Sequence, residues 1–331
     1  MKLYIVRRLL LIGPTFLGIS IITFAVVQLA PGSPLLLRLQ KAQSMSVSGS
    51  LSPEIIEATK KLYGLDKPLP QRYVIWLGKL VRLDFGNSYK DFRPVIVKIF
   101  EAIPITLQLN LISIFLIYIV SIPLGVYSAT HQYSWPDQVI TFLLFVLYSL
   151  PNFWVAMLLM YFFCGGAHFN WFPVFGISTI GAENWPWYQW LGDRLWHMVL
   201  PVFCLSLHGF AYMSRYARAG VIETVRQDYI RTARAYGFSE RTVIYKYALR
   251  NSLIPIVTLL GTVLPGLIGG SVIIEYIFSV PGMGRLSFEA ILSRDYPLIM
   301  GILSITAFLT LIGLIISDTL YALVDPRIKF E

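Results

Sequence analysis

The stretch ETVRQDYIRTARAYGFSERTVIYKYALRNSLIP, from Glu223 to Pro255, determines how the rest of this chain is interpreted. It is the longest polar and basic run between two apolar segments in the C-terminal half. Asp228 is a predicted helix N-cap and Gly237 a predicted helix stop, and Ser239 can cap a second short helix over about residues 240–249. The stretch therefore predicts two short helices joined at a glycine elbow, followed by an apolar helix with Pro255 in its first turns.

The same residues resemble a known family. Arg231-Thr232-Ala233, followed by Gly237, Leu249 and Pro255, resembles the EAA-type loop of ABC importer permeases. The runs DYIRTARAYG and YALRNSLIPIVT are similar to the oligopeptide and dipeptide branch of that family, in which Arg-Thr-Ala in place of Glu-Ala-Ala is a typical departure.

The resemblance implies that this loop docks into a groove on a cytoplasmic ATPase subunit. The implied coupling residues are Asp228, Arg231, Thr232, Ala233, Gly237, Arg241, Asn251 and Pro255. The alternative is a basic cytoplasmic loop that only follows the positive-inside rule. The glycine elbow, with Asn251 and Pro255 at matching spacing, favours the family interpretation.

The composition is that of a membrane protein. Of 331 residues, 56% are hydrophobic and 14% charged, and the mean hydropathy is +0.65. The net charge of +9 does not indicate nucleic-acid binding, because the basic residues lie in loops beside apolar runs. The two cysteines, Cys164 and Cys204, lie far apart in apolar surroundings, without metal-ligand spacing.

Six apolar segments predict an all-α, polytopic membrane protein with six transmembrane helices, because only helices satisfy every backbone group within lipid. They are residues 9–30, 102–130, 138–163, 195–213, 252–274 and 296–316. The first is too long for a signal-peptide core, so we expect it to be retained. The resemblance adds the type I ABC importer permease fold.

Basic residues predict the orientation. With the N-terminus inside, the cytoplasmic segments carry thirteen Lys and Arg residues and the short outer loops carry three. The loop over 31–101 carries eleven more, but loops longer than about 60 residues largely escape the rule. We therefore expect both termini to lie in the cytoplasm, and the resemblance implies that the membrane is the bacterial cytoplasmic (inner) membrane. The predicted parts are a first helix over 1–30, an outer loop over 31–101, a transmembrane core over 102–324 with five helices and the coupling loop 215–251, and a tail over 325–331.

The long outer loop contains two predicted helices. Ser52-Pro53-Glu54 is typical of a helix start, and that helix would end at Gly64. Residues 71–83 predict an amphipathic helix with Tyr73, Trp76, Leu77 and Leu80 on one face. The loop resembles the outer loop of the same permease branch, which implies a platform for a substrate-delivering binding protein. Two helices lying on the membrane surface, or capping the bundle, remain the alternative.

Two further stretches extend the resemblance over nearly the whole chain. EYIFSVPGMG is similar to the branch's E-x-I-F-x-x-P-G-x-G segment on the outer side, and its motif residues are Glu275, Pro281, Gly282 and Gly284. Asp325-Pro326-Arg327 matches the usual ending. The tryptophans of residues 165–194 favour an interfacial aromatic belt, with a peptide-contacting vestibule as the alternative.

Sequence motifs for chemistry are absent. There is no phosphate-binding loop, zinc-protease motif or nucleophile elbow, so we expect no catalytic or metal site on this chain.

His197 and His208 lie near one face of a predicted helix; packing is favoured over a metal pair or proton relay. Candidate pathway-lining residues are Gln108, Asn110, Asn152, Ser206 and His208; interhelical hydrogen bonds are the alternative. The Gly266 to Gly270 spacing could permit close approach of the fifth helix to a partner.

The function indicated is a permease subunit of an ABC importer that carries di- and oligopeptides by alternating access. The spans lack charged residues, which disfavours the ion-coupled carrier alternative, and no nucleophile or metal constellation supports an intramembrane enzyme. The resemblance implies a second homologous permease as a heterodimer partner, two ATPase subunits that hold ATP and Mg, and an external binding protein, with no cofactor on this chain and no nucleic acid. Nickel chelates, glycans and antimicrobial peptides remain alternative cargoes.

Overall fold

The computed structural model describes residues 2–29, 67–165 and 168–324, and every regular element in these ranges is a helix. The longer helices are α1 (Lys2–Leu29), α2 (Leu69–Val81), α3 (Val95–Thr130), α4 (Trp135–Ser149), α5 (Asn152–Phe163) and α6 (Trp187–Val225). They are followed by α7 (Asp228–Ala235), α8 (Glu240–Thr242), α9 (Leu249–Val263), α10 (Val272–Ile277), α11 (Met283–Leu292) and α12 (Tyr296–Val324). The predicted helix start at Ser52 and the ending at Asp325 lie outside the described residues.

Four of these helices are long and apolar enough to cross a membrane, counting only the described parts of the chain. They contain the runs Leu10–Leu29, Val95–Thr130, Trp187–Val225 and Tyr296–Thr319. The helical class is confirmed, and these runs overlap four of the six predicted segments. The remaining two segments, 138–163 and 252–274, have a different form from the one predicted.

The prediction of one helix over 138–163 was wrong. The helices α4 and α5 meet at an angle of 99°, so the apolar segment is broken into two helices. Pro151 causes the break, because its ring disfavours helical backbone at the preceding residue and it has no N–H to donate. Leu150 accordingly has extended backbone, with φ −81° and ψ 132°.

The prediction of one helix over 252–274 was also wrong. The helix α9 ends at Val263, a 3₁₀ turn follows at Leu264–Ile268, and α10 begins only at Val272. Gly270 has φ +66°, a conformation that interrupts a helix and favours glycine. The Gly266 to Gly270 pair therefore lies in this break and not on a helix face.

Internal contacts divide the chain into two compact units, Met1–Ala102 with Leu286–Leu311 and Ile103–Arg285 with Ile312–Glu331. In the first unit, the predicted amphipathic helix is present as α2. Its Tyr73 and Trp76 pack on Phe24 and Val27 of α1, and Leu80 is buried. The predicted apolar face of this helix thus covers part of α1.

A turn after α2 is fixed by a buried carboxylate of the same unit. Asp295 is completely buried at the start of α12. It accepts hydrogen bonds from the Ser88 hydroxyl and from the Tyr89 backbone N–H, the latter at 2.9 Å. Because a buried carboxylate requires such donors, Asp295 holds the 84–94 turn against the last helix.

The core of the second unit lies around α6, which is continuous despite Pro201. Buried residues of α3, α5, α6 and α10 form its largest apolar cluster, which includes Leu109, Ala156, Cys204 and Ile274. On α3, Gly125 allows close approach, since a Cβ there would lie 2.6 Å from the Ala217 Cβ. Small residues of this kind allow membrane helices to pack backbone to backbone.

Candidate functional site

The glycine elbow in the Glu223–Pro255 stretch is present. Gly237 has φ +77°, and its N–H donates to the Arg234 carbonyl at 2.9 Å. The Phe238 N–H donates to the Ala233 carbonyl at 3.4 Å. This pair of bonds is the Schellman arrangement that ends a helix at a left-handed glycine. Gln227, and not Asp228, is the N-cap of α7, because Asp228 already has helical backbone as the first residue.

The second part of the elbow begins as predicted but does not end as predicted. The Ser239 hydroxyl caps the new helix by accepting from the Thr242 N–H at 3.4 Å. The backbone then passes through α8 and a π-helical segment, Val243–Ala248, directly into α9. The expected separate helix over 240–249 is therefore the start of a continuous helical segment that includes α9. Nothing in this segment terminates it, and Pro255 lies inside α9.

A small apolar core holds the two parts of the elbow together. Ile230 and Ala233 on α7 pack against Val243 and Ala248, and all four are buried. The opposite face of the elbow is exposed, including Arg231, Tyr236 and Arg241. An amphipathic helix pair outside the long apolar runs, with a closed underside and an exposed basic and aromatic face, is suited to binding another protein.

Polar contacts fix the elbow angle. Arg234 forms two bonds to the Glu240 carboxylate, at 2.8 and 3.2 Å, across the glycine. The Asn251 amide donates to the Tyr229 hydroxyl at 2.7 Å and links α9 back to α7. Exposed ion pairs contribute only about 0–1 kcal/mol, so the apolar core is the larger contribution. The other predicted coupling residues, Thr232 among them, lie on α7, α8 or α9 in the same local structure.

The predicted outer-segment residues converge on one carboxylate. Glu275 is 1% exposed and accepts from the Thr106 hydroxyl at 3.0 Å and from the Ser271 and Arg285 N–H groups at 3.2 and 3.0 Å. Thr106 in turn accepts from the Met283 N–H at 2.8 Å. Thr106, on α3, was missed by sequence reasoning, because it lies 169 residues from Glu275 and has no local signal.

One motif glycine makes room for this carboxylate, and the other makes room for the backbone beside it. A Cβ on Gly282 would lie 2.6 Å from the Glu275 carboxylate oxygen Oε2. A Cβ on Gly284 would lie 2.6 Å from the Val272 backbone nitrogen. The glycines of the motif are thus required by close packing around a buried acid, and Pro281 lies at the exposed turn before them.

The candidate pathway residues have different contacts within the chain. Gln108 accepts from the Arg194 Nε at 2.9 Å, and Asn110 donates to the Leu267 carbonyl at 2.5 Å. Ser206 is fully buried, and its hydroxyl lies 2.7 Å from the Val202 carbonyl oxygen of its own helix and 3.3 Å from the Ser113 carbonyl oxygen of α3. Asn152 begins α5, and His208 is exposed with its ring edge-on to Tyr148. Their assignment to a pathway stays a prediction.

The two histidines of α6 have different surroundings. His197 is buried, with Nδ1 2.8 Å from the Asp193 carbonyl oxygen, whereas His208 is exposed. They lie roughly 16 Å apart along the helix at 1.5 Å per residue. Within the described ranges, no group of three or more His, Cys, Asp or Glu side chains could hold a metal ion.

Comparison with known proteins identifies relatives over the whole chain. Residues 121–330 match the family described as "Binding-protein-dependent transport system inner membrane component". The chain is 40% identical to the oligopeptide transport system permease protein AppB of Bacillus subtilis (strain 168), with 100% of both chains covered. It is 35% identical to the dipeptide transport system permease protein DppB of Alkalihalophilus pseudofirmus, again with 100% of both covered. It is 34% identical to the peptidoglycan transport system permease protein YejB of Agrobacterium fabrum, covering 100% of this chain and 99% of the relative.

Proposed function

The chain belongs to the family of binding-protein-dependent transport system inner membrane components, and from that membership we propose that it is a permease subunit of an ATP-binding-cassette importer for di- and oligopeptides. The full-length similarity to oligopeptide and dipeptide transport permeases supports the cargo class. The observation that carries the mechanism is the elbow at Gly237, a folded helix pair whose apolar underside is closed within the chain. Its exposed face is the proposed contact for an ATPase partner.

The proposed mechanism is alternating access driven by partner chains. This chain supplies no covalent chemistry; ATP and Mg belong to two ATPase subunits. Closure of the ATPases would draw together the elbows of this chain and of a second, homologous permease in a heterodimer. The lumen would then open outward to an external binding protein, and hydrolysis would reopen it inward.

The proposed topology has six crossings, both termini in the cytoplasm and the 31–101 loop outside, in the type I importer fold. The bent pair α4 and α5 supplies the third crossing, and the broken stretch from α9 to α10 supplies the fifth. Irregular backbone at membrane depth is tolerated where protein or a water-filled cavity surrounds it. The buried Glu275 site provides such protein partners at the end of the broken crossing.

Reconstitution tests this proposal. The purified chain alone in proteoliposomes is expected to show neither ATP hydrolysis nor peptide uptake. The complex with a second permease, ATPases and binding protein is expected to take up labelled di- or oligopeptides only with ATP. Sustained uptake by the single chain, or uptake by the complex driven by an ion gradient without ATP, would refute the proposal.

A second cargo class is favoured by one comparison. The relative named a peptidoglycan transport permease matches this chain over its full length at a similar identity. Peptide-bearing cell-wall fragments are therefore the second candidate cargo. The test uses the complete complex and measures uptake of a labelled peptide in the presence of either unlabelled fragments or unlabelled oligopeptides. The competitor that lowers uptake more identifies the preferred cargo class.

A further inference from the structure

An ion pair between a buried carboxylate and a half-buried arginine lies close to the elbow, and the proposed mechanism does not use it. The Arg218 Nη2, near the C-terminal end of α6, donates to the Asp137 Oδ2 in the first turn of α4 at 2.8 Å. The Asp137 side chain is 4% exposed and that of Arg218 is 28% exposed. Removing one member of a buried pair leaves an uncompensated charge, so such pairs are sensitive to substitution.

The backbone holds the Asp137 carboxylate in place. The Ser134 hydroxyl caps α4 by accepting from the Asp137 N–H at 3.4 Å. The Asp137 Oδ2 also accepts from the Tyr133 N–H at 3.0 Å. Because the carboxylate is bonded to the turn between α3 and α4, a movement of Arg218 would pull on the turn itself rather than only rotate the Asp137 side chain.

Each side chain of the pair has one buried polar atom without a hydrogen-bond partner in the described part of the chain. The Asp137 Oδ1 and the Arg218 Nε are both buried, and neither has a hydrogen-bond partner within the described part of the chain. Arginine and carboxylate groups frequently pair through two parallel bonds. Only one bond is observed, so the Asp137 Oδ1 and the Arg218 Nε are the two atoms that a second, parallel bond would use.

Packed side chains connect Arg218 to the elbow. One turn later on α6, the buried Val221 packs with Val126 of α3 and with Ile244 and Leu249 beyond the elbow. Val225 belongs to this cluster and also to the apolar core beneath the elbow. A displacement of the elbow therefore reaches the last turns of α6 through continuous contacts, and it reaches α4 through the ion pair.

We propose that Asp137 and Arg218 are positioning residues that make α4 move together with α6 and the elbow, changing between one-bond and two-bond forms during the transport cycle. The inference rests on the proposed function, since it requires an ATPase partner to move the elbow. Beyond the 99° bend, α5 continues from α4 and packs beside Ile274 of α10. The pair is thus placed to carry movement from the elbow to the Glu275 site.

Spin labels on α4 and α6 test the mechanical link directly. Labels at Trp135→Cys and Glu223→Cys, both exposed positions, are placed in the complete transporter complex, and their distance distribution is measured with and without ATP. We expect a narrow distribution in both states, and at least a twofold broadening in Arg218→Met. The control is Arg215→Met, an exposed arginine on the same helix. An Arg218→Met distribution as narrow as that of the parent in both states would overturn the inference.

Uptake per ATP hydrolysed supplies the functional readout. Arg218→Met is expected to lower this ratio about tenfold at matched abundance, while ATP hydrolysis continues. Arg218→Lys keeps the charge but lacks the planar guanidinium that forms two parallel bonds to one carboxylate, so we expect about a threefold loss. If Arg218→Met does not accumulate, Arg218→Lys decides alone. An unchanged ratio in the variants contradicts the inference. Absence of peptide uptake by the parent complex would instead contradict the proposed function, and the distance measurement would still test the link.

Discussion

At the scale of the single residue, Gly237 determines the direction of the chain between α7 and α8. Its φ of +77° is the left-handed conformation, which costs most residues with a Cβ about 1–2 kcal/mol. Apart from its two chain neighbours, no atom of the described residues lies within 4 Å of the position a Cβ would take. A side chain at this position would strain the backbone but would not collide with the rest of the described chain. The effect of a substitution on ATPase binding can therefore be measured apart from its effect on folding.

Gly237→Asp is expected to insert and fold, but to lower both ATPase pull-down and peptide uptake at least tenfold. The added charge lies at the C-terminus of α7, where negative charge is unfavourable, and on the proposed docking face. Gly237→Asn is the matched control, because it has the same shape without the charge and tolerates the left-handed region. Arg231→Ala is expected to lower pull-down and uptake less, since Arg231 is exposed and its ion pair with Asp228 is long, at 3.4 Å.

Both quantities are measured at equal membrane abundance. Normal pull-down together with normal uptake for Gly237→Asp would mean that the elbow only anchors the chain in the cytoplasm. In that case, the proposed ATPase contact would lose its main physical support. Loss of uptake with intact pull-down would place the defect in the transmission of movement rather than in docking.

At the scale of the element, the contact between α3 and α6 depends on a glycine. At Gly125, a Cβ would lie 2.6 Å from the Ala217 Cβ and 2.6 Å from the Ser214 carbonyl oxygen. Backbone atoms cannot move aside as a flexible side-chain end can. The separation of the two helices is therefore set by the absence of a side chain at this position.

Gly125→Leu is expected to lower the free energy of unfolding by about 1–3 kcal/mol, the usual cost of overpacking, and to reduce uptake. The control is Gly192→Leu on α6, the partner helix, where no atom outside the neighbouring turns of that helix lies within 4 Å of the added Cβ in the described part of the chain. Thermal unfolding in detergent and uptake at matched abundance check both variants. Equal stability of the two variants would show that α3 and α6 do not approach closely here.

At the scale of the whole molecule, the distribution of basic residues predicts the topology. With the N-terminus inside, thirteen Lys and Arg residues lie in cytoplasmic segments and three in short outer loops. The native cysteines, Cys164 and Cys204, are both buried, so they provide a low background for labelling.

Arg82→Cys, in the long first loop, is expected to react with an impermeant thiol reagent added to intact cells. Ser239→Cys, at the elbow, is expected to react only after the membrane is opened. Both positions are exposed on the chain, so accessibility is limited by the membrane rather than by the fold. Labelling of Ser239→Cys, but not of Arg82→Cys, in intact cells would reverse the proposed orientation.

The sequence by itself determined the helical class, the approximate positions of four long apolar helices, and the glycine stop and serine cap of the elbow. Ser239 as a cap, Gly237 as a left-handed stop and the apolar face of α2 were all predicted. Each depends on residues within about four positions of one another, where backbone hydrogen bonding and side-chain spacing leave few alternatives. The bend at Pro151 has an equally local signal, the proline itself, and was missed because the surrounding residues are uniformly apolar.

Only the tertiary structure decided which distant polar groups meet. Glu275 is hydrogen-bonded to Thr106, which lies 169 residues away in sequence, and Arg218 is paired with Asp137, which lies 81 residues away. An apolar helix can pack against its neighbours in many registers that bury similar area, and hydropathy does not distinguish between them. The register is selected by close packing at positions such as Gly125 and Gly284 and by the requirement that each buried carboxylate has donors. These conditions are met only when all helices are in place, so no single stretch of sequence contains them.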